Sequence, residues 1–299
     1  MTIYEILDDI KSERKKKVIL DTDAFNEIDD QFAIAYTYLS EKMELLAVCA
    51  EHYKHDRQRD PAAGMEKSYD EIIKVLSLTD PAYKTPVFRG STTSIDAVGD
   101  AVESDAAENI IRIVRESDEI VYIAAIGAIT NVASAIMKAP DIKEKMCVLW
   151  LGCNQLDMAD PIEYNLEQDY KAGQFLLDCG VPTVIVPACW VTSVLRSRIE
   201  NTAKLKGANP ICDYLYKISE EAYIAVGRPE TWARTIWDLG APAIFENPEC
   251  AEFEIVPTPI LTDERKYAFD EKRHKMIIVT KLHRDPIFAR AWKVLRGDV

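Results

Sequence analysis

The densest group of chemistry-bearing residues is Asp21-Thr22-Asp23-Ala24-Phe25-Asn26-Glu27-Ile28-Asp29-Asp30, five acidic side chains in ten positions. It follows directly on an apolar run, residues 17–20, that reads as a buried strand. In open α/β sheets, sites form where loops leave the carboxyl ends of strands. Asp23 leaves the strand tip there, with Asp21 supporting it from behind. Asp29 and Asp30 open a helix, where carboxylates favour the positive end of the macrodipole. Carboxylates gathered this closely repel one another. A hard divalent cation removes the repulsion, and oxygen-only ligands suit Ca²⁺ or Mg²⁺. Any one of these residues could be a helix cap or a strand end. All of them at one junction point to a site.

Three later segments belong with it: Ile126-Gly127-Ala128-Ile129-Thr130-Asn131, then Pro161-Ile162-Glu163-Tyr164-Asn165 running on to Asp169, then Thr235-Ile236-Trp237-Asp238-Leu239-Gly240-Ala241-Pro242. The acidic loop resembles the D-x-D-x-G-x-D-D signature of the nucleoside hydrolases, the inosine–uridine-preferring family. The later segments resemble that family's L-G-P-L-T-N turn, its A-E-F-N segment and its His-Asp pair. The structural run Gly180–Pro187 matches a G-V-P-x-x-x-V-P strand, and residues 86–90 are weakly similar. The resemblance spans about residues 17 to 242. It departs at three places. The spacer between Asp23 and Asp29-Asp30 is two residues longer and lacks the glycine. Trp237 stands where the family has a histidine often assigned to protonating the leaving base. The loop Glu51-His52-Tyr53-Lys54-His55 stands where the family has Gly-Asn.

The resemblance implies a single nucleoside hydrolase-like α/β domain over residues 1–299 that cleaves the N-glycosidic bond of a ribonucleoside. It implies one Ca²⁺ held by Asp23, Asp30, Asp238 and the backbone carbonyl of Thr130, with Asp23 also the general base and Asp21 behind it. Asp29, Glu163 and Asn165 would orient the sugar hydroxyls; Glu163 and Asn165, two apart, share one side of an extended strand. The leaving-group pocket has several candidates: His52, His55, Asn154, Tyr223, Arg228, Trp232 and Trp237. Family likeness also implies a homodimer or homotetramer. Two other readings share the fold: a hydrolase of another ribosyl compound, and a non-catalytic ribosyl-ligand binder. The retained Asp23 argues against the binder, which needs no base. A phosphatase of the haloacid dehalogenase type needs Thr or Val two residues past the second Asp, where this chain has Phe25.

The elements that must position these residues follow from hydrophobic pattern. Apolar runs at 17–20, 45–48, 120–125, 147–151 and 182–186 are continuous rather than alternating, as strands buried on both faces should be. Helical stretches lie between them, at 29–40, 65–77, 105–116, 130–138 and 168–179. This alternation predicts an open, mostly parallel sheet flanked by helices. A helix-rich stretch at 210–239, a late strand at 275–280 and a final helix around 286–295 follow. Ile3, Ile6, Leu7 and Ile10 make one stripe of an N-terminal amphipathic helix.

Composition narrows the classes. The 299 residues carry 36 Lys+Arg against 50 Asp+Glu, a formal charge of −14, with 48% hydrophobic residues. A disordered chain would lack that apolar content. The charge argues against binding nucleic acid or an anionic membrane surface, both of which recruit Lys and Arg. No run approaches the ~20 apolar residues of a membrane helix, and the N-terminus does not read as a secretory signal. Seven scattered cysteines without a C-x-x-C pair suggest a reduced, cytoplasmic chain rather than a zinc site.

Overall fold

The computed structural model describes residues 1–298. The apolar runs become the strands of one sheet: β1 (Lys16–Thr22), β2 (Met43–Ala50), β3 (Val87–Phe88), β4 (Val121–Ala125), β5 (Met146–Leu151), β6 (Thr183–Val186), β7 (Ala251–Pro257) and β8 (Lys275–Leu282). Their order is β3-β2-β1-β4-β5-β6-β8-β7. All neighbours pair in parallel except β7, which runs antiparallel along β8 at one edge.

Helices cover both faces, so the central strands bury both of theirs. Val18 and Leu20 enter one core while Ile19, between them, enters the other. β4 and β5 are buried at every position, which explains why they read as unbroken apolar runs. The N-terminal helix α1 (Ile3–Lys11) buries Ile6 and Ile10 as its stripe requires. α2 (Asp30–Leu39) and α3 (Pro61–Thr79) pack against each other over the β1–β2 side.

Some boundaries differ from the sequence reading. The stretch 168–179 is two helices, Tyr164–Gln168 and Tyr170–Asp178, broken at Asp169. Asp169 turns its carboxylate to the backbone N–H groups of Ile95, Asp96 and Ala172 and to the Thr130 hydroxyl. The stretch 210–239 is one helix, Pro210–Ala225, that ends before Gly227 and Pro229. A two-residue strand, Arg234–Thr235, and a 3₁₀ turn, Trp237–Leu239, follow. No long periodic run announced β7, because an edge strand exposes alternate residues and Glu252 and Glu254 face solvent.

The strand order reverses at β1, whose neighbours β2 and β4 lead in opposite directions across the sheet. This is the topological switch point, where the crevice beyond the strand ends opens. Backbone bonds fix the two rims: Ile126 N–H to the Asp21 carbonyl at 2.8 Å and Glu51 N–H to the Thr22 carbonyl at 2.7 Å. Behind them, a Cβ on Gly90 would lie 1.8 Å from the Ala50 carbonyl oxygen. Gly90→Ala should therefore lower the urea midpoint without changing the m-value, by at least the ~1–3 kcal/mol of an overpacked core. An unchanged midpoint would show that the strand ends are not packed this closely.

Candidate active site

Beyond the ends of β1 and β4 lies a cavity of about 310 Å³, lined by Asp23, Asp29, Asp30 and Asp238 together with Glu163, Asn165, Tyr164 and Trp237. Further wall comes from Asn26, Glu27, Ile126, Leu151, Ala188 and Cys189. The four aspartates come from three places: the tip of β1, the start of α2 and the 3₁₀ turn Trp237–Leu239. One carboxylate oxygen from each of Asp29, Asp30 and Asp238 lies within 4.8 Å of the other two. Asp23 stands on the same cavity.

All four are buried, each at most 6% exposed. Burial pushes every one of their carboxyls upward, Asp30 to about 6, and for the other three the neighbouring aspartates push further: Asp29 to about 8, and Asp23 and Asp238 well above the ordinary 3.8. Hydrogen bonds relieve little of this. Thr22 Oγ1 donates to Asp30 at 2.5 Å, and Trp237 N–H donates to Asp29 Oδ2 at 2.9 Å. Asp29 Oδ1 has no hydrogen-bond partner among the described residues. Arg234 Nη2 stops 4.0 Å from it, held instead by Glu27. A buried, all-oxygen group with an unpartnered atom is the donor set a hard cation takes.

The expected ligands fall out differently. Asp30 and Asp238 converge as read. Asp29, expected to hold sugar, is the third member of the tight group, while Asp23 flanks it. Thr130 opens the helix Thr130–Lys138, and its hydroxyl donates to Asp169 at 2.6 Å and so accepts from His52 Nε2 at 2.9 Å. It is not on the cavity wall. The β4 strand end that does face the cavity is Ile126, whose carbonyl lies 3.3 Å from Asn165 Nδ2. Asp21, two residues before Asp23, is fully buried and off the cavity wall; burial raises it to about 7, and Asn131 Nδ2 donates to its Oδ1 at 2.9 Å.

Glu163 and Asn165 do not share a strand. Glu163 caps the helix Tyr164–Gln168, accepting from the N–H groups of Cys153, Asn165 and Leu166 at 3.0, 2.8 and 2.7 Å. With both oxygens so occupied, it orients Asn165 more than it offers itself to a ligand. Asn165 donates from Nδ2 to the carbonyls of Leu151 and Ile126, which leaves Oδ1 as its acceptor for a ligand hydroxyl.

Of the leaving-group candidates, only Trp237 lines the cavity. His52 is turned into the protein, buried and held by burial near pKa 4, so it is neutral. His55 pairs with Gln58 across a turn. Asn154 ties the segment 160–162 together and accepts from Cys189 N–H. Tyr223 and Trp232 pack on each other 5.4 Å apart, and the Tyr223 hydroxyl bonds the Arg228 carbonyl. Asn26, Glu27, Tyr164 and Cys189 were missed. Tyr164 had a signal, since it sits between two residues already chosen.

Residues 18–288 match the family described as inosine-uridine preferring nucleoside hydrolase, and the chain belongs to that family. It is thus an N-glycosyl hydrolase. Solved structures agree in fold. A purine-preferring ribonucleoside hydrolase from Gardnerella vaginalis superposes with a TM-score of 0.75 at 20% identity, covering 94% of this chain and 98% of that one. An inosine-guanosine nucleoside hydrolase gives 0.75 at 18%, covering 95% and 99%. An inosine-uridine preferring nucleoside hydrolase from Bacillus anthracis gives 0.67 at 15%, covering 94% and 99%. No curated protein matches by sequence. The family is metal-dependent, which suits the buried aspartate group. Among the described residues no helix is long and apolar enough to cross a membrane.

The raised carboxyls make cation-free stability depend on pH. Each keeps its proton when folded and loses it near pH 4 when unfolded. Its contribution is full below pH 4 and falls away as pH rises through about 6, 7 and 8 for Asp30, Asp21 and Asp29. In EDTA the melting temperature should therefore drop between pH 5 and 8.5. A divalent cation should raise it more at pH 8.5, where the carboxylates need no proton displaced. Thermal scans that show equal cation shifts at both pH values would contradict the site.

Proposed function

We propose that this chain hydrolyses the N-glycosidic bond of a ribonucleoside to ribose and free base, with Ca²⁺ as its cation and Asp23 as general base. The observation that carries the reading is the convergence of four buried aspartates and the free oxygen of Asn165 on one cavity at the sheet's switch point. Asp30 and Asp238 are the proposed ligands together with Asp23, which flanks them on the cavity wall; Asp29, the third member of the tight group, adds its charge to the site and keeps its unpartnered oxygen for the sugar, and the Ile126 carbonyl rather than that of Thr130 is the neutral oxygen. When bound, the cation supplies the positive charge these carboxylates lack and lowers the pKa of water at the site.

The chain's own residues do the rest. Asn165 Oδ1 and the unpartnered oxygen of Asp29 accept from sugar hydroxyls and so set C1′ against the attacking water. Asp23 takes that water's proton as the new C1′–O bond forms. The C1′–N bond breaks with oxocarbenium character, and the base leaves with the electron pair and takes a proton from solvent water, while Asp23 later returns its own proton to solvent. The indole of Trp237 offers an apolar face for the base but no proton near neutral pH. The seven unpaired cysteines fit a reducing, cytoplasmic setting.

A second reading of the substrate has its own support. No histidine lines the cavity among the described residues. A ribosyl compound whose aglycone is already cationic departs neutral and needs no acid, so such a compound suits this cavity as well as a neutral nucleoside does.

The test is a panel of neutral ribonucleosides and an N-alkylated, cationic one, assayed for ribose with Ca²⁺ or with EDTA. Release should occur with Ca²⁺ and be lost in EDTA. Asp23→Ala should lower kcat by at least about 100-fold, the scale of general base catalysis. No release from any member would end the hydrolase reading for these substrates. Release that survives Asp23→Ala would end the base assignment.

A further inference from the structure

The acidic loop departs from its family's pattern in length and in its missing glycine, and both departures meet at one hydrogen-bonded bridge. Asn26, in the lengthened stretch, donates from Nδ2 to Asp23 Oδ2 at 3.2 Å. Its Oδ1 accepts from the Tyr164 hydroxyl at 3.1 Å, and that hydroxyl also lies 3.2 Å from the Lys54 carbonyl. The ionised Asp23 carboxylate, which can only accept, fixes which end of the amide faces it. It is the nitrogen, the only end able to donate to a carboxylate.

The backbone is bent to the same purpose. Asn26 N–H bonds the Asp23 carbonyl at 3.2 Å and closes a reverse turn with Phe25 inside it at φ 78°. A non-glycine residue in that region costs about 1–2 kcal/mol, and strain of this kind persists only where surrounding contacts enforce it. Phe25 returns little by burial, being 51% exposed. The enforcing contacts are the Asn26 bonds and, one residue on, the Glu27–Arg234 ion pair. On the far side of Asp23, residue 127 must be glycine for the carboxylate to sit as it does, since a Cβ there would lie 2.9 Å from Oδ1.

We propose that Asn26 is a positioning residue for Asp23 and that Tyr164 acts through it. The amide holds one carboxylate oxygen, so that the other presents its lone pairs in a fixed direction. The inference rests on Asp23 being the base. Misplacing a catalytic group by ~1 Å can cost about 100-fold. Asn26→Ala should therefore lower kcat by roughly 10–100-fold and leave KM within about 3-fold. Tyr164→Phe, nearly isosteric, should lower kcat less, and the double variant should be no worse than Asn26→Ala alone, because both act through one bridge.

A second readout needs no reaction. The Asn26 side-chain N–H resonances, assigned in ¹⁵N-labelled protein by their loss in Asn26→Asp, should move in both Asp23→Asn and Tyr164→Phe. Wild-type protein that releases ribose while Asn26→Ala keeps full kcat overturns the inference, as do additive losses in the double variant. If Asn26→Ala does not fold, Tyr164→Phe with unchanged kcat and unmoved resonances overturns it. Wild-type protein that releases no ribose overturns the base reading instead, and the resonances then decide the bridge alone: unmoved in both variants, they refute it.

Discussion

Four buried carboxylates share one cavity, and most of the surrounding architecture is arranged to tolerate that. An isolated buried carboxylate is expensive, and a group of them is worse. The protein has two ways out. It can hold protons, which is what the raised carboxyls of Asp29 and Asp30 express, or it can hold a cation. Neutral donors and one flanking guanidinium at 4.0 Å reduce the repulsion without ending it. The site is therefore incomplete in charge, which suits it to the metal dependence of its family.

The sheet sets where such a group can exist. β4 is buried along its whole length and β1 at every position but Lys17, so their ends are held by packing, and the strand order diverges there. Side chains from the β1 tip, from α2 and from the turn Trp237–Leu239 meet only because the crevice opens at that point. Glu163 and Asp169 then act as backbone clamps. Each gives its carboxylate to three main-chain N–H groups, and together they hold the Asn165 wall in place.

Much of this was legible in the sequence, and for a physical reason. Strands buried on both faces must be apolar throughout, so the central strands declare themselves. Acidic residues clustered after such a strand have few structural uses, so Asp23, Asp29 and Asp30 could be named, while Asp238, alone in its segment, was legible only through its resemblance to the family's His-Asp pair. What failed was direction. Sequence spacing placed Glu163 and Asn165 on a strand, but a carboxylate followed by free N–H groups forms a helix cap just as readily. The histidines His52 and His55 follow β2 closely, yet whether such a side chain turns into the cavity or into the core depends on partners such as Thr130, far off in sequence. Asn26 and Glu27 lay in an insertion, where no family pattern could assign them a place.

The clamp at Asp169 also bears on the order in which the molecule forms. Its carboxylate joins residues 74, 73 and 39 positions away along the chain. Contacts of that span carry a loop-closure cost that must be met before they stabilise anything. Asp238 arrives later still, from beyond the last central parallel strand but one. The cavity therefore cannot be complete until the chain has been made as far as Asp238, more than two hundred residues beyond Asp23. Until then the acidic loop lacks one of the carboxylates with which it lines the cavity.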